Sequence, residues 1–372
     1  MAYLLGLVST IAWISFAASH TAFAQTSRED PGAGPVTGRL TKCLIAHAQG
    51  HDEACPEPTL APDHASRSKV ASRLARANYF IEIQQLEKAL SETDAAIATD
   101  PDNAGAHHLA ARLLMILGDA ERMQREVILA RKQAPNDPAI RVTYAIMLQG
   151  RQGSFESLKE LQAVVFAHPH YLFAREQLAL LLMRLGQSNS ERRYYEAALA
   201  QYNFVIRQSR PDPNLLAGRA EALLASGEPK TAAADLTEAL KLDPDRSDLL
   251  LARANAYVVA ELDERAVNDF NLLLAITDGT PRYPLPENDR AILLTKRANA
   301  FVRMHRFGEA ADDVIAALNF GGARAVLRAQ VFLRGNGFPN TPIDGKDSPA
   351  LHDSLRSCFG LNACFQGIMQ AI

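Results

Sequence analysis

The sequence predicts an all-helical chain of stacked amphipathic helix pairs, with a small helical module towards its C-terminal end. Three observations carry that expectation. Pro101, Pro135 and Pro169 recur every 34 residues, each where an apolar helical pattern has to stop. Ala77, Ala111, Ala145 and Ala179 keep the same interval, and Ala220, Ala254 and Ala298 continue the series after steps of 41, 34 and 44. Of the 372 residues 48% are hydrophobic but only 7% aromatic, and Ala dominates the periodic stretches, which suits close helix packing better than a sandwich or barrel.

Residues 1–24 read as a secretory signal. An uncharged apolar run from Leu4 to Ala18 is followed by a polar break at Ser19-His20 and the small-residue pattern Ala22-Phe23-Ala24. Cleavage after Ala24 is the expectation. Retention as an anchor is the alternative, since no Lys or Arg precedes the run, although the run falls short of the ~20 residues of a spanning helix. No later apolar run is long enough to span a bilayer, so no stable membrane insertion is expected after cleavage. With 39 Lys+Arg against 42 Asp+Glu, a nucleic-acid partner is not expected either.

Residues 25–69 form a leader containing Pro, Gly and Asp, with a short helix-like stretch from Leu40 to Ala48. Export into an oxidising compartment makes two local disulfides the expected use of the four cysteines, Cys43 with Cys55 and Cys358 with Cys364. Sequence alone permits three connectivities, and the Cys-x-x-Cys clusters of a zinc site are absent.

Residues 70–323 hold seven repeat units. In each, the Ala of the main series lies on a first helix, helix A. A second small-residue position lies twelve further on, at Ala89, Met123, Ser157, Ala198, Ala232, Ala266 and Ala310. A third lies seven beyond that, at Ala96, Ala130, Val164, Val205, Ala239, Leu273 and Ala317. Both fall on a second helix, helix B, and small side chains there let the pair approach closely. Unit four carries about seven extra residues around Gln187 to Arg193, and about ten more around Thr277 to Glu287 precede unit seven as a turn-rich surface loop.

This register resembles the tetratricopeptide repeat family, whose 34-residue unit has a small residue at position 8, Tyr or Phe at 11, Ala at 20 and 27, and Pro at 32. Here Phe80, Tyr257 and Phe301 fall at position 11, and Pro101, Pro135, Pro169 and Pro244 at position 32; the stretch from Ala232 to Pro244 matches best. The resemblance implies a right-handed superhelical solenoid. It implies a concave face lined by helix A at positions 2, 5, 9, 12 and 13, which binds a protein or peptide. That register gives Asn78, His108, Arg112, Glu176, Arg184, Glu221, Asn255, Asn299 and Arg303 as polar candidates for partner contact, a mixed surface suited to an extended peptide. The family's clamp for a C-terminal carboxylate uses Lys at position 5, where this chain has Leu74, His108, Val142, Glu176, Ala217, Leu251 and Thr295.

Catalysis is not expected. No His-Glu-x-x-His, Gly-x-Ser-x-Gly or Gly-rich phosphate loop is present, and no cofactor or metal site is foreseen. Residues 324–372 differ from the repeats. Gln330-x-x-Leu333, Gly337-Phe338, the turn Ile343-Asp344-Gly345 and a helical stretch from Ser348 to Phe359 resemble the small helical peptidoglycan-binding domain, though Lys346-Asp347-Ser348 replaces its second Gly and the Cys358 to Cys364 loop its closing Phe-Gln. The segment reads either as a cap on the last repeat or as a wall-binding module. The functional expectation is a non-catalytic periplasmic scaffold. The alternative is a cell-wall-associated protein whose repeats recruit an envelope enzyme or division factor.

Overall fold

The structure, a computed structural model, describes residues 62–150, 153–276, 289–360, 364 and 367–368. The expected signal, the loop around Thr277 to Glu287 and the leader as far as residue 61, with Cys43 and Cys55, lie outside the described residues, whereas residues 62–69 of that leader form the start of the first helix. The described residues hold fifteen α-helices and no strand. In chain order they are α1 (Pro62–Glu82), α2 (Leu86–Thr99), α3 (Ala104–Leu117), α4 (Ala120–Gln133), α5 (Pro138–Gln149), α6 (Ser154–Ala167), α7 (Leu172–Asn189), α8 (Arg192–Gln208), α9 (Pro213–Ala225), α10 (Pro229–Leu242), α11 (Ser247–Val259), α12 (Asp263–Ile276), α13 (Asp289–Arg303), α14 (Phe307–Gly335) and α15 (Pro349–Phe359).

Local chemistry starts and stops these helices. Asn103, Asp119, Asp137 and Asp212 cap α3, α4, α5 and α9 with side-chain oxygens that accept first-turn N–H groups. Pro138, Pro213 and Pro229 occupy first turns, where a missing N–H costs nothing. Gly118, at φ 84°, closes α3 in the left-handed conformation that a side chain disfavours. The seven Ala residues of the main series are at most 1% exposed. At this position any larger side chain would push helix A off its neighbours.

The chain divides into two compact units, residues 1–190 and 191–372. The first contains α1 to α7, three complete helix pairs and helix A of unit four. The second contains α8 to α15. The division falls in the extra residues of unit four, which enter as helix: α7 has 18 residues and α8 has 17, against 14 in each of α3 and α4. Only the turn at Ser190, with φ 55°, interrupts them.

In the second unit, the ring of Tyr202 on α8 lies directly against the backbone of Gly218 on α9. A Cβ at Gly218 would sit 2.6 Å from Tyr202 Oη and 2.7 Å from Cζ, and Tyr202 is only 2% exposed. Gly218→Ala is therefore expected to destabilise the second unit by about 1–3 kcal/mol despite the better helix propensity of Ala, measured as a lower urea midpoint at unchanged slope.

The last helices belong to the repeat core. α14 breaks at Gly322 (φ 64°, ψ −170°), so helix B of unit seven continues into the C-terminal segment with a change of direction. Val314 and Leu318 before the break and Val326, Leu333, Leu351, Leu355 and Phe359 after it fall in one buried cluster, with Cys358 and its disulfide partner Cys364. Gln330, fully buried, joins the two motifs of the segment. Its Oε1 accepts from the Asp344 and Gly345 N–H groups at 3.1 and 2.8 Å, and its Nε2 donates to Asp344 Oδ1 and Lys346 O, both at 2.9 Å.

Candidate functional site

Polar side chains on the repeats fall into two sets. The first serves packing. In six of the seven repeats helix B carries an acid at position 23, namely Glu92, Glu126, Glu160, Asp235, Asp269 and Asp313, and a base from helix A meets each one. Within the first unit the bases are Arg76, His107 and Arg141, at 2.9, 2.6 and 2.8 Å. In the second they are Arg219, Arg253 and Arg297, each holding its Asp with two nitrogens at 2.5–2.8 Å. The third nitrogen of each reaches back to position 25 of the preceding repeat, at Asn203, Thr237 and Asn271. A planar guanidinium supplies this fork and a spare donor at once, which Lys could not.

These pairs were not foreseen from the sequence, although for four of the six the signal was present: Arg immediately before the repeated Ala, and an acid sixteen residues later; His107 and Arg141 stand four residues before that Ala. Of the adjacent histidines, His107 belongs to this set. It is 3% exposed, with Nδ1 facing Glu126 and Nε2 facing the Pro101 carbonyl at 2.8 Å.

The second set lies on helix A, where the candidate residues were placed. In the first unit the structure brings His108 and Arg112 of α3 together with Thr143 of α5 and Tyr171 at the start of α7. His108 Nε2 is 2.8 Å from Thr143 Oγ1. Burial and the nearby Arg112 charge push the His108 pKa down to about 4, against a smaller upward pull from Asp137. Burial also brings Arg112 down to about 10, opposed by Tyr171, and raises the Tyr171 hydroxyl to about 12. The cluster thus holds a cation that is poorly hydrated and an imidazole kept neutral beside it.

The remaining candidates are dispersed. Asn78 is exposed on α1, and Glu176 is half-buried on α7. Arg184, exposed at the far end of α7, donates to Gln149 on α5. In the second unit Glu221 on α9 lies near Tyr195 on α8, whose hydroxyl pKa is raised by burial and by that carboxylate. Asn255 on α11 accepts from Lys296 of α13 at 2.8 Å, and burial lowers the Lys296 pKa. Asn299 donates to the carbonyl of Thr295 on its own helix at 3.0 Å. Arg303 is committed to Asp263, with Nε at 2.9 and 3.0 Å from the two carboxylate oxygens. Sequence reasoning missed Thr143, Tyr171 and Lys296, because the first and last stand at position 6 and Tyr171 precedes its helix, outside the positions assigned to the face.

Among the described residues no group of three or more His, Cys, Asp or Glu side chains is placed to hold a metal ion. No described helix is long and apolar enough to cross a membrane.

No protein-family model matches the chain. It is similar to a TPR repeat-containing protein of Bacillus subtilis (strain 168), YpiA, at 26% identity over 195 residues, covering 51% of this chain and 44% of that protein. The chain thus spans less than half the length of this relative. Among solved structures it is similar to PilW, described as a widely conserved type IV pilus biogenesis factor, at 18% identity and a TM-score of 0.52, over 60% of this chain and 98% of PilW. A tetratricopeptide repeat protein from Parabacteroides merdae is similar over 68% of this chain and 94% of its own, at 16% identity and a TM-score of 0.45. Helix pairs repeated in one register, similar in structure to PilW, give the described residues a tetratricopeptide-repeat fold.

Proposed function

We propose that the chain is a non-catalytic scaffold of the cell envelope that binds an extended peptide, or a flexible segment of a protein partner, on its helix-A surface. One observation carries the reading. Helix B and positions 4 and 7 of helix A carry the charge pairs that hold the repeats, and on the remainder of helix A burial disfavours the charges of Arg112 and Lys296. A preformed surface of this kind loses little conformational entropy on binding and gains from an anionic or carbonyl-rich segment. The apolar stretch before Gln25 and the Cys358–Cys364 disulfide support an exported, periplasmic location.

Selection of phage-displayed dodecapeptides on the full chain tests the proposal. Selected peptides are expected to lose about tenfold in affinity, roughly 1.4 kcal/mol, with Arg112→Ala or Lys296→Ala. They should be unaffected by Lys159→Ala, an exposed residue of helix B. Peptides indifferent to both helix-A substitutions would remove the reading.

A second reading makes residues 324–372 a peptidoglycan-binding module that docks the scaffold on the wall. In its favour, Gln330 and the Asp344-Gly345 turn, two of the motifs behind the resemblance, form one hydrogen-bonded piece. Co-sedimentation of the full chain with isolated sacculi is the test. Surface changes such as Val331→Asp and Ile343→Asp, at side chains 52% and 42% exposed, are better controls than truncation, which would open the core of unit seven.

A further inference from the structure

We propose that a second copy of the chain docks on the outer face of helix B of unit three, α6 against α6 in antiparallel orientation, so that Phe155 of each copy meets Phe166 of the other. The pairing uses helix B and not the helix-A surface.

Phe155 and Phe166 are the most exposed large apolar side chains among the described residues, at 74% and 89%. Neither ring meets another ring or a cation there. The fold does not ask for them, since the core side of α6 is formed by Ser157, Leu158, Leu161 and Val164. Phe155 stands two residues before the second small position of unit three, and Phe166 two after the third. At the first of these places the other units have Glu87, Glu121, Glu196, Lys230, Glu264 and Gly308, and at the second Ala98, Lys132, Arg207, Lys241, Ala275 and Asn319. Acids at the start of a helix and bases at its end suit the macrodipole and stay hydrated. Unit three alone replaces polar or small residues at both ends by aromatic rings, and exposed apolar surface concentrated in this way marks an interaction site.

The spacing selects the occupant. Eleven residues are about three turns of an α-helix with roughly 20° to spare, so the two rings lie on one line along α6, about 16 Å apart. Lys159 and Gln162 lie between them on the same line, both exposed. A stripe with the same residue at each end matches itself when turned end for end. The two-fold axis then passes between residues 160 and 161, each Phe155 falls beside the partner's Phe166, and each Lys159 falls beside the partner's Gln162, whose carbonyl can accept from it. Opposed macrodipoles favour this orientation over the parallel one. An anionic membrane surface is a poorer match, because Glu156 and Lys159, the exposed charges of α6, cancel.

The area sets the strength. With a Phe presenting roughly 200 Å², the four rings of the pair remove about 650 Å² from water at these exposures. The flanks of the stripe at Lys159, Gln162 and Ala163 bring the total to about 1,000 Å², the lower end for a specific interface. The dimer is therefore weak and concentration-dependent, with a Kd of about 10–100 µM.

Sedimentation equilibrium of the full chain from about 1 to about 200 µM, a range that spans this Kd, is the test. A monomer–dimer equilibrium is expected. Phe155→Lys and Phe166→Asp should each weaken it by about tenfold or more, with thermal melting unchanged because both side chains are exposed. Mixing these two variants tests the orientation. In the antiparallel pair the introduced ammonium faces the introduced carboxylate at one end while the unaltered Phe–Phe contact remains at the other, so the mixture should dimerise about tenfold better than either variant alone. A chain that stays monomeric throughout the range overturns the inference and leaves the rings to an unlike partner or a lipid surface. A dimer indifferent to both substitutions has its contact elsewhere and overturns it as well. So does a mixture that associates no better than its components, which excludes the antiparallel pairing.

Discussion

Removing residues 324–372 is expected to unfold the end of the repeat array together with the module, with loss of amide-exchange protection through α13 and the first half of α14. The expectation follows from who shares the core. Of the nineteen buried residues in the cluster around unit seven, ten lie beyond Gly322, among them Leu333, Leu351, Leu355 and Phe359, all fully buried. Their partners on the repeat side include Phe301, Val314 and Leu318. Large side chains of this kind contribute about 1.5–3 kcal/mol each when buried, so losing the segment exposes more apolar surface than one helix pair can tolerate. A drop of about 10 °C or more in the last thermal transition is the expected size, and repeat arrays need not unfold as a single step. Leu355→Ala is the graded counterpart, at about 2–5 kcal/mol. If the truncated chain kept full protection in α13, the segment would be an independent module and the capping argument would fail.

What could be read in the sequence and what could not divides along the same physical line. The helix pairs were legible because close approach demands small residues at fixed intervals, and Ala77 through Ala298 supply them at positions that are buried. The extra residues of unit four were legible in place but not in form. Gln187 to Arg193 are polar with modest helix propensity, yet they extend two existing helices, and extension adds a hydrogen bond per residue without a new nucleus. His108 and Arg112 were found because the resemblance supplies a register in which positions 5 and 9 of helix A share one face. Thr143, Tyr171 and Lys296 were not, because their proximity depends on how neighbouring helices stack. The motifs of the C-terminal segment were visible as words, but that Leu351, Leu355 and Phe359 complete the core of unit seven is a tertiary fact that no local pattern states.

The second large effect is expected at Asp269. Its carboxylate is 5% exposed and takes both outer nitrogens of Arg253, itself 18% exposed, at 2.8 Å each. Asp269→Ala removes the anion that the fork of Arg253 grips and leaves a guanidinium between α11 and α12, at a cost of about 3 kcal/mol. The loss should also reach the preceding repeat, because the third nitrogen of Arg253 bonds Thr237 at 3.4 Å and the guanidinium will reorient. Exchange protection is therefore expected to fall in α10 as well as in α11 and α12. Glu238→Ala sets the scale: its pair with Lys241 is 59% and 65% exposed, and an ion pair in that setting is worth about 0.5 kcal/mol or less. The informative variant is the double change Arg253→Met with Asp269→Leu. If the pair were needed for stability as such, the double variant would be at least as damaged as the single one. The desolvation argument gives the opposite result, with most of the loss recovered, because two apolar side chains need no compensation. A coupling energy of about 1–3 kcal/mol in the resulting cycle is expected. Recovery of stability would then leave one role for the repeated Arg and Asp, which is to fix the register of one repeat on the next through the third nitrogen. That role predicts a double variant that is stable but whose α10 amides exchange faster than in the unaltered chain.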